Sequence, residues 1–244
     1  FLILKDGTIT APSLDNTKIT TAGNKALITK EYLDANAGSS SGLEAIDEGN
    51  GFGWRLIGRD ATRYGNIGLN ATDLSFSSAA SSTRGATGQM SIALGFNNTS
   101  DGYSSTTWGY ANSAPGVFST AFGSNNTASG SRSVVWGDSN VSSSNRSTSW
   151  GVSNTSLAYH STSWGQSNTA ASLNSTVFGQ YSINPIGQST YSIVSTDDLL
   201  TIGNGTNGGS RSNALKILKN AVQIQGGITA ADASALTPEP GMSA

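Results

Sequence analysis

Ser133-Val-Val-Trp-Gly-Asp-Ser-Asn140, Ser147-Thr-Ser-Trp-Gly-Val-Ser-Asn154 and Ser161-Thr-Ser-Trp-Gly-Gln-Ser-Asn168 are one pattern written three times at a spacing of 14 residues. It extends in both directions. Glycine recurs at Gly95, Gly109, Gly123, Gly137, Gly151, Gly165 and Gly179, and serine four residues earlier, from Ser91 to Ser175. The residue before each glycine is large and apolar: Leu94, Trp108, Phe122, Trp136, Trp150, Trp164 and Phe178. Three residues after the glycine stand Asn98, Asn112, Asn126, Asn140, Asn154 and Asn168, with Ser182 closing the series. Four columns in one phase over seven periods specify a stacked repeat.

In each period, strand alternation sends positions one and three (the serine, then Ala93, Thr107, Ala121, Val135, Ser149, Ser163 or Val177) to one face. Positions two and four, the latter being the large residue, point the other way. The small face suits a thin interior. The glycine ends the strand, and the asparagine is expected in a left-handed turn, a conformation it tolerates. A second short segment offers Ser100, Ala114, Ala128, Ser142, Ser156 and Ala170 as another small, inward column. Two short strands and two turns make one coil, and coils stack at the strand spacing of ~4.8 Å, so seven span roughly 33 Å. The stacked asparagines are positioned to form a side-chain ladder along the stack. The fold class is therefore all-β: a parallel β-roll, or β-solenoid, of about seven coils with extended or β flanking segments. Between residues 91 and 188 only Asp101, Arg132, Asp138 and Arg146 are charged. Identical positions lie above one another in such a stack, where like charges repel.

Composition agrees. The chain has 244 residues, 36% of them hydrophobic and 11% charged, with 30 glycines and no cysteine. That charge content is well under the roughly 25% of an ordinary globular domain. Absence of cysteine excludes disulfides, thiolate chemistry and Cys-ligated zinc. A formal net charge of −2 offers nothing to nucleic acid or an anionic membrane. No apolar run approaches the ~18 residues of a membrane helix. Phe1-Leu-Ile-Leu4 is too short for a signal-peptide core, and Leu236 to Ala244 reads as interrupted, so the expectation is a fragment or processed product.

The run Ser91-Ile-Ala-Leu-Gly-Phe-Asn-Asn-Thr-Ser-Asp-Gly-Tyr-Ser104 resembles the head repeat of YadA-type trimeric autotransporter adhesins. Gly102, Gly116 and Gly130 match that family's second glycine, whereas Ser144, Ala158, Ser172 and Ile186 depart from it, which implies altered outer turns in the later coils. The resemblance implies a left-handed parallel β-roll that trimerises about a central axis; the left hand comes from the resemblance alone. The aromatic column departs most, since the family usually places Ile or Val there.

The flanks divide the chain into an N-terminal attachment segment and linker (1–43), a β lead-in (44–90), the roll (91–188) and a C-terminal β connector (189–244), expected to be truncated. Leu4 to Pro12 reads as a strand, Ala26 to Asp34 as a helical turn and Ala35 to Gly42 as a linker. Residues 1–43, the lead-in and Leu199 to Asn220 resemble segments of bacteriophage tail fibres. Alternation in Ala214-Leu-Lys-Ile-Leu-Lys219 and Val222-Gln-Ile-Gln225 predicts a hairpin turning at Asn220.

Chemistry is sparse. The single histidine, His160, sits at a position that accepts Ser104, Phe118, Arg132, Arg146 or Asn174, the pattern of a plain surface residue. Asp47-Glu48 and Asp197-Asp198 are adjacent pairs whose members face opposite sides of a strand, unlike a glycosidase dyad spanning a cleft. Gly203 to Gly209 lacks the Gly-Lys-Ser/Thr ending of a phosphate loop and reads as a turn. The sequons at Asn98, Asn125 and Asn154 follow from composition. Stacked threonines at 106, 120, 148, 162 and 176 would suit an ice-binding face, but the aromatics beside them spoil its flatness. No catalytic, cofactor-binding or metal residues are expected.

The large apolar column, Leu94 to Phe178, is expected at the trimer axis, the alternative being a carbohydrate-stacking surface. The partners expected are two further copies of the chain, other virion proteins through the N-terminal segment, and a host-surface glycan or protein receptor, with no nucleic acid and no membrane span. The functional expectation is a homotrimeric phage fibre for host attachment. A bacterial surface adhesin is the alternative, and a glycan-degrading tailspike is disfavoured.

Overall fold

Alternating β-branched and aromatic residues such as Thr148-Ser-Trp150 favour extended backbone, and the columns read in the sequence become the columns of one long sheet. The computed structural model describes Leu2–Ile3, Ile9–Thr10, residues 42–183, Pro185 and residues 187–224. The helical turn expected at 26–34, almost all of the linker and the chain beyond 224 lie outside the described residues. The chain divides into two compact units, 1–44 with 56–59, and 45–55 with 60–244. In the first, Leu2–Ile3 pairs antiparallel with Ile9–Thr10. The second holds the coils.

Each 14-residue period contributes a five-residue strand, such as Thr120–Ser124, Val134–Asp138 or Thr148–Val152, to a parallel sheet. Pairing is in register: Phe122 lies beside Trp136, Trp136 beside Trp150, and Gly137 beside Gly151. Two-residue strands, Thr127–Ala128, Val141–Ser142, Thr155–Ser156 and Thr169–Ala170, form a second parallel sheet. The all-β coil architecture holds.

The solenoid makes about nine turns, more than the seven periods visible in the sequence. Thr72–Phe76 pairs in parallel with Ile92–Phe96, and Thr176–Gln180 with Asp198–Asn204. These outer steps take 20 residues (Thr72 to Ile92) and 24 (Thr176 to Leu200), because loops are inserted into the coil while its strands are kept.

The interior is thin and changes character along the stack. Ala114, Ala121, Ala128 and Val135 form an apolar cluster. Further on, Ser142, Ser149, Ser156 and Ser163 replace it with a chain of buried hydroxyls at 2.8–3.0 Å. Ser149 and Ser156 also donate to the carbonyls of Val141 and Thr148. These partners offset the cost of placing hydroxyls in the volume that alanine or valine fills elsewhere.

The repeat glycine is required twice over. Gly137 has φ +121°, and a Cβ there would lie 2.0 Å from the carbonyl oxygen of Gly151.

One expectation is corrected: the ladder asparagines do not take the left-handed turn. That conformation falls on the residue before each, Asn97, Ala111, Asn125, Ser139, Ser153 and Ser167, with φ of 51–57°. A second left-handed column, Met90, Ser104, Phe118, Arg132, Arg146, His160 and Asn174, precedes the repeat serines at φ 50–58°. The asparagine stays out of that region, and its amide is bonded inside the coil.

The outer turns change as the departures from glycine imply. The N–H groups of Gly102 and Gly116 donate to Ala114 and Ala128, whereas later Ser143 and Leu157, one place earlier in the turn, donate to Ser156 and Ala170. The closing bond survives in both forms, from Ser119 N–H to Gly116 O and from Ser147 N–H to Ser144 O.

Antiparallel strands Asp198–Asn204, Asn213–Leu218 and Val222–Ile224 end the sheet. The turn expected over Gly203 to Gly209 is shorter: Gly203 and Asn204 end the first strand, paired with Gly179 and Gln180, and Gly205 to Gly209 fall in the turn, with Gly209 N–H donating to Asn207 Oδ1. Arg211 Nη1 donates to the carbonyls of Ser167 and Ser182, and Lys219 Nζ to that of Leu173, tying this end to the last coils.

The aromatic column as a candidate interaction face

Strand alternation fixes where the large residues go. Position three is buried, so position four faces out. Trp108 is 54% exposed, Trp136 50%, Trp150 45% and Trp164 55%, with Leu94, Phe122 and Phe178 in the same column. In-register pairing sets the rings of successive coils side by side, and from Trp108 to Trp164 they touch. Trp136, Trp150 and Trp164 stack with centroids 5.3 and 5.2 Å apart and planes within 8–10°. Around Phe122 the geometry switches to edge-on, at 74° to Trp108 and 66° to Trp136. Both arrangements are favourable aromatic geometries. Where the smaller Phe122 stands between two tryptophans, a groove of about 370 Å³ opens, lined also by Thr106, Thr120 and Val134.

Two features escaped the sequence reading. Leu74 pairs with Leu94 and Ile202 with Phe178, so the apolar column continues into the irregular coils. Ile202-Gly203 carried the large-residue–glycine signal, but the 24-residue coil put it out of phase. At the strand ends, Phe96 and Tyr110 stack at 5.7 Å as a partial second column.

Beneath this face lies the asparagine ladder. Asn98, Asn112, Asn126, Asn140, Asn154 and Asn168 are fully buried. Each Oδ1 accepts the backbone N–H of the residue 14 later, from Asn112 on Asn98 to Ser182 on Asn168, at 2.8–3.1 Å. Their amide nitrogens donate to the carbonyl of the next coil's glycine, as Asn112 does to Gly123 at 2.8 Å, and to that of their own coil's large residue, as to Trp108 at 3.0 Å. The ladder therefore holds the strand carrying each aromatic at its exit.

The remaining candidates are tied into local structure. His160 is exposed, between Arg146 Nη1 and Asn174 Oδ1, each at 3.2 Å. Asp197 and Asp198 are buried and separately paired, to Lys219 at 3.7 Å and Lys216 at 2.8 Å. Asp47 accepts the N–H groups of Gly49 and Gly51, while Glu48 pairs with Arg55 and accepts from Ile67 N–H. Among the described residues no group of three or more His, Asp or Glu could hold a metal, and no helix is long and apolar enough to cross a membrane.

The YadA head domain repeat model matches the chain in two copies, over residues 86–106 and 114–140. The chain is thus similar to that repeat across its first regular coils, while the tryptophan-rich coils after 140 lie outside the match. No curated protein and no solved structure matches the chain.

Proposed function

We propose that the chain is the roll segment of a homotrimeric, surface-exposed adhesive fibre, in which three copies pack their aromatic columns around a common axis. One observation carries this reading: the unbroken apolar column, half exposed in the single chain. Half of six large aromatic side chains at ~200 Å² each is on the order of 600 Å² per copy, or ~15 kcal/mol of gross burial. That is comparable with the 4–15 kcal/mol estimated as the cost of association, so one face per chain, shared among three, supports a stable assembly. A stripe of this size is at the upper end of what monomers leave exposed. Similarity to the YadA head repeat supports an adhesin-type role at a surface.

In this reading the chain works by contact, not catalysis, because the paired acids are engaged by lysines and backbone. Its carrier is a phage virion, with the N-terminal segment attaching to other virion proteins and the roll projecting toward a host glycan or protein. A bacterial surface adhesin is the second reading, favoured by the family match. Light scattering tests the core proposal: the unmutated protein has three times the chain mass, and Trp150→Asp, which buries a charge at the axis, dissociates it. A stable unmutated monomer refutes the axial packing. Immunogold labelling of virions and of cells separates the two carriers.

A further inference from the structure

The trimer proposed above leaves open what sets its rotation and its axial register. We infer that a charge clasp between copies does so, with Asp138 of each protomer engaging Arg132, and Arg146 beside it, on its neighbour. This inference rests on the trimer reading.

The strand Val134–Asp138 crosses the aromatic face from one turn edge to the other. Arg132 stands just before it at the first edge, in the left-handed column, and Asp138 ends it at the second; both are exposed. The residues are six apart along extended chain, or ~20 Å, so they cannot pair within one copy. Three such faces around an axis parallel to the stack form a triangle. Three-fold rotation brings the end of each side against the start of the next, a heterologous contact that closes. Rotation without translation also keeps height, so the residues that meet belong to the same coil.

At that height the charges are complementary. Arg132 and Arg146 occupy adjacent rungs of one column, at the ~4.8 Å spacing where like charges repel. Among the described residues, neither has a carboxylate partner. Arg132 lies over the Phe118 ring at 5.4 Å, and Arg146 Nη1 donates to Tyr159 Oη at 2.8 Å and lies near His160. Among the described residues, the Asp138 carboxylate accepts only from its neighbour Ser139, at 3.2 Å. Arg132, a cation without an anion on one edge, thus stands level with Asp138, an anion without a cation on the other, and Arg146 stands one rung further on. The two end rungs match as well: exposed Met90 and Phe96 share the first, and the amides of Asn174 and Gln180 the last. A shift of one rung would part Arg132 from Asp138 and Asn174 from Gln180.

Two experiments on the whole chain test the clasp. Asp138→Arg and Arg132→Asp should each raise the trimer's dissociation concentration about tenfold or more, and the double exchange should restore it to within about threefold. Single variants as tightly assembled as the unmutated protein overturn the clasp. Because the chain has no cysteine, Arg132→Cys/Asp138→Cys then locates the contact. Oxidation should give a covalent trimer on a denaturing gel, while each single cysteine variant gives none. A trimer by light scattering that yields only monomer bands refutes the clasp and spares the trimer. Covalent ladders beyond three chains refute ring closure, and an unmutated monomer removes both readings.

Discussion

The backbone N–H of Asn140 donates to Oδ1 of Asn126, one coil earlier, at 2.9 Å, while Asn140 Nδ2 donates to Trp136 and to Gly151, one coil later. One buried residue ties three coils. Asn140→Asp keeps its shape but turns two donors into an acceptor facing carbonyl oxygens. It should cost several kcal/mol, more than Asn140→Ala, which removes the group without placing a buried charge. Thermal melting of the two variants checks the order; equal losses would mean that the amide donors contribute little.

Gly137→Ala tests the close approach of successive coils. The added methyl meets the Gly151 carbonyl at 2.0 Å on a backbone with φ +121°. Backbone cannot yield as a flexible side chain can, so a loss of at least about 3 kcal/mol is expected, the range of severe single substitutions. Chemical denaturation measures it, and a loss below 1 kcal/mol would contradict the packing.

Arg211 holds the end of the stack through the carbonyls of Ser167 and Ser182, at 2.7 and 3.0 Å. Arg211→Ala should cost about 1–3 kcal/mol, and locally. Hydrogen exchange should quicken around 162–182 while strands such as Val134–Asp138 keep their protection, because repeat stacks open from their ends. Uniform acceleration would place Arg211 in a global role.

The regular coils were legible in the sequence because each column serves one physical demand and coils repeat it without interruption. Ser-x-x-Trp-Gly-x-x-Asn fixes the face, the break and the inward amide within one period. The turn assignment failed at the asparagines because propensity for the left-handed region was read from residue type alone. Asn140 is more valuable as a buried amide, so the strained conformation moves to Ser139, whose side chain has no such task. The outer coils were illegible for a different reason. Loops inserted between Phe76 and Ile92, and between Gln180 and Asp198, destroy the period while leaving strand pairing intact. The placement of Arg132 and Asp138 at opposite edges was equally hidden, since sequence separation of six says nothing of edges until the strand between them is seen.

Deleting whole and half coils tests the 14-residue unit itself. Removing Ser147 to His160 joins Arg146 to Ser161 and keeps every column in phase. Asn168 then takes the place of Asn154 on Oδ1 of Asn140, Trp164 stacks on Trp136, and Ser163 fills the interior where Ser149 stood. What is lost outright is small: the bond from Tyr159 N–H to Thr190 O, the bond from Arg146 Nη1 to Tyr159 Oη, and the His160 rung between Arg146 and Asn174. Stability of a stack is close to a sum of nearest-neighbour terms, so the shortened chain should fold, assemble and melt within a few degrees of the full one. Removing only Ser147 to Ser153 joins Arg146 to Asn154. A buried ladder residue then falls where a strand should start, the two-residue strand displaces the aromatic one, and Trp164 meets no ring below it. That variant should be insoluble or melt far lower. Circular dichroism and light scattering on both compare them directly, and equal yield and equal melting would refute the coil as the unit of the fold.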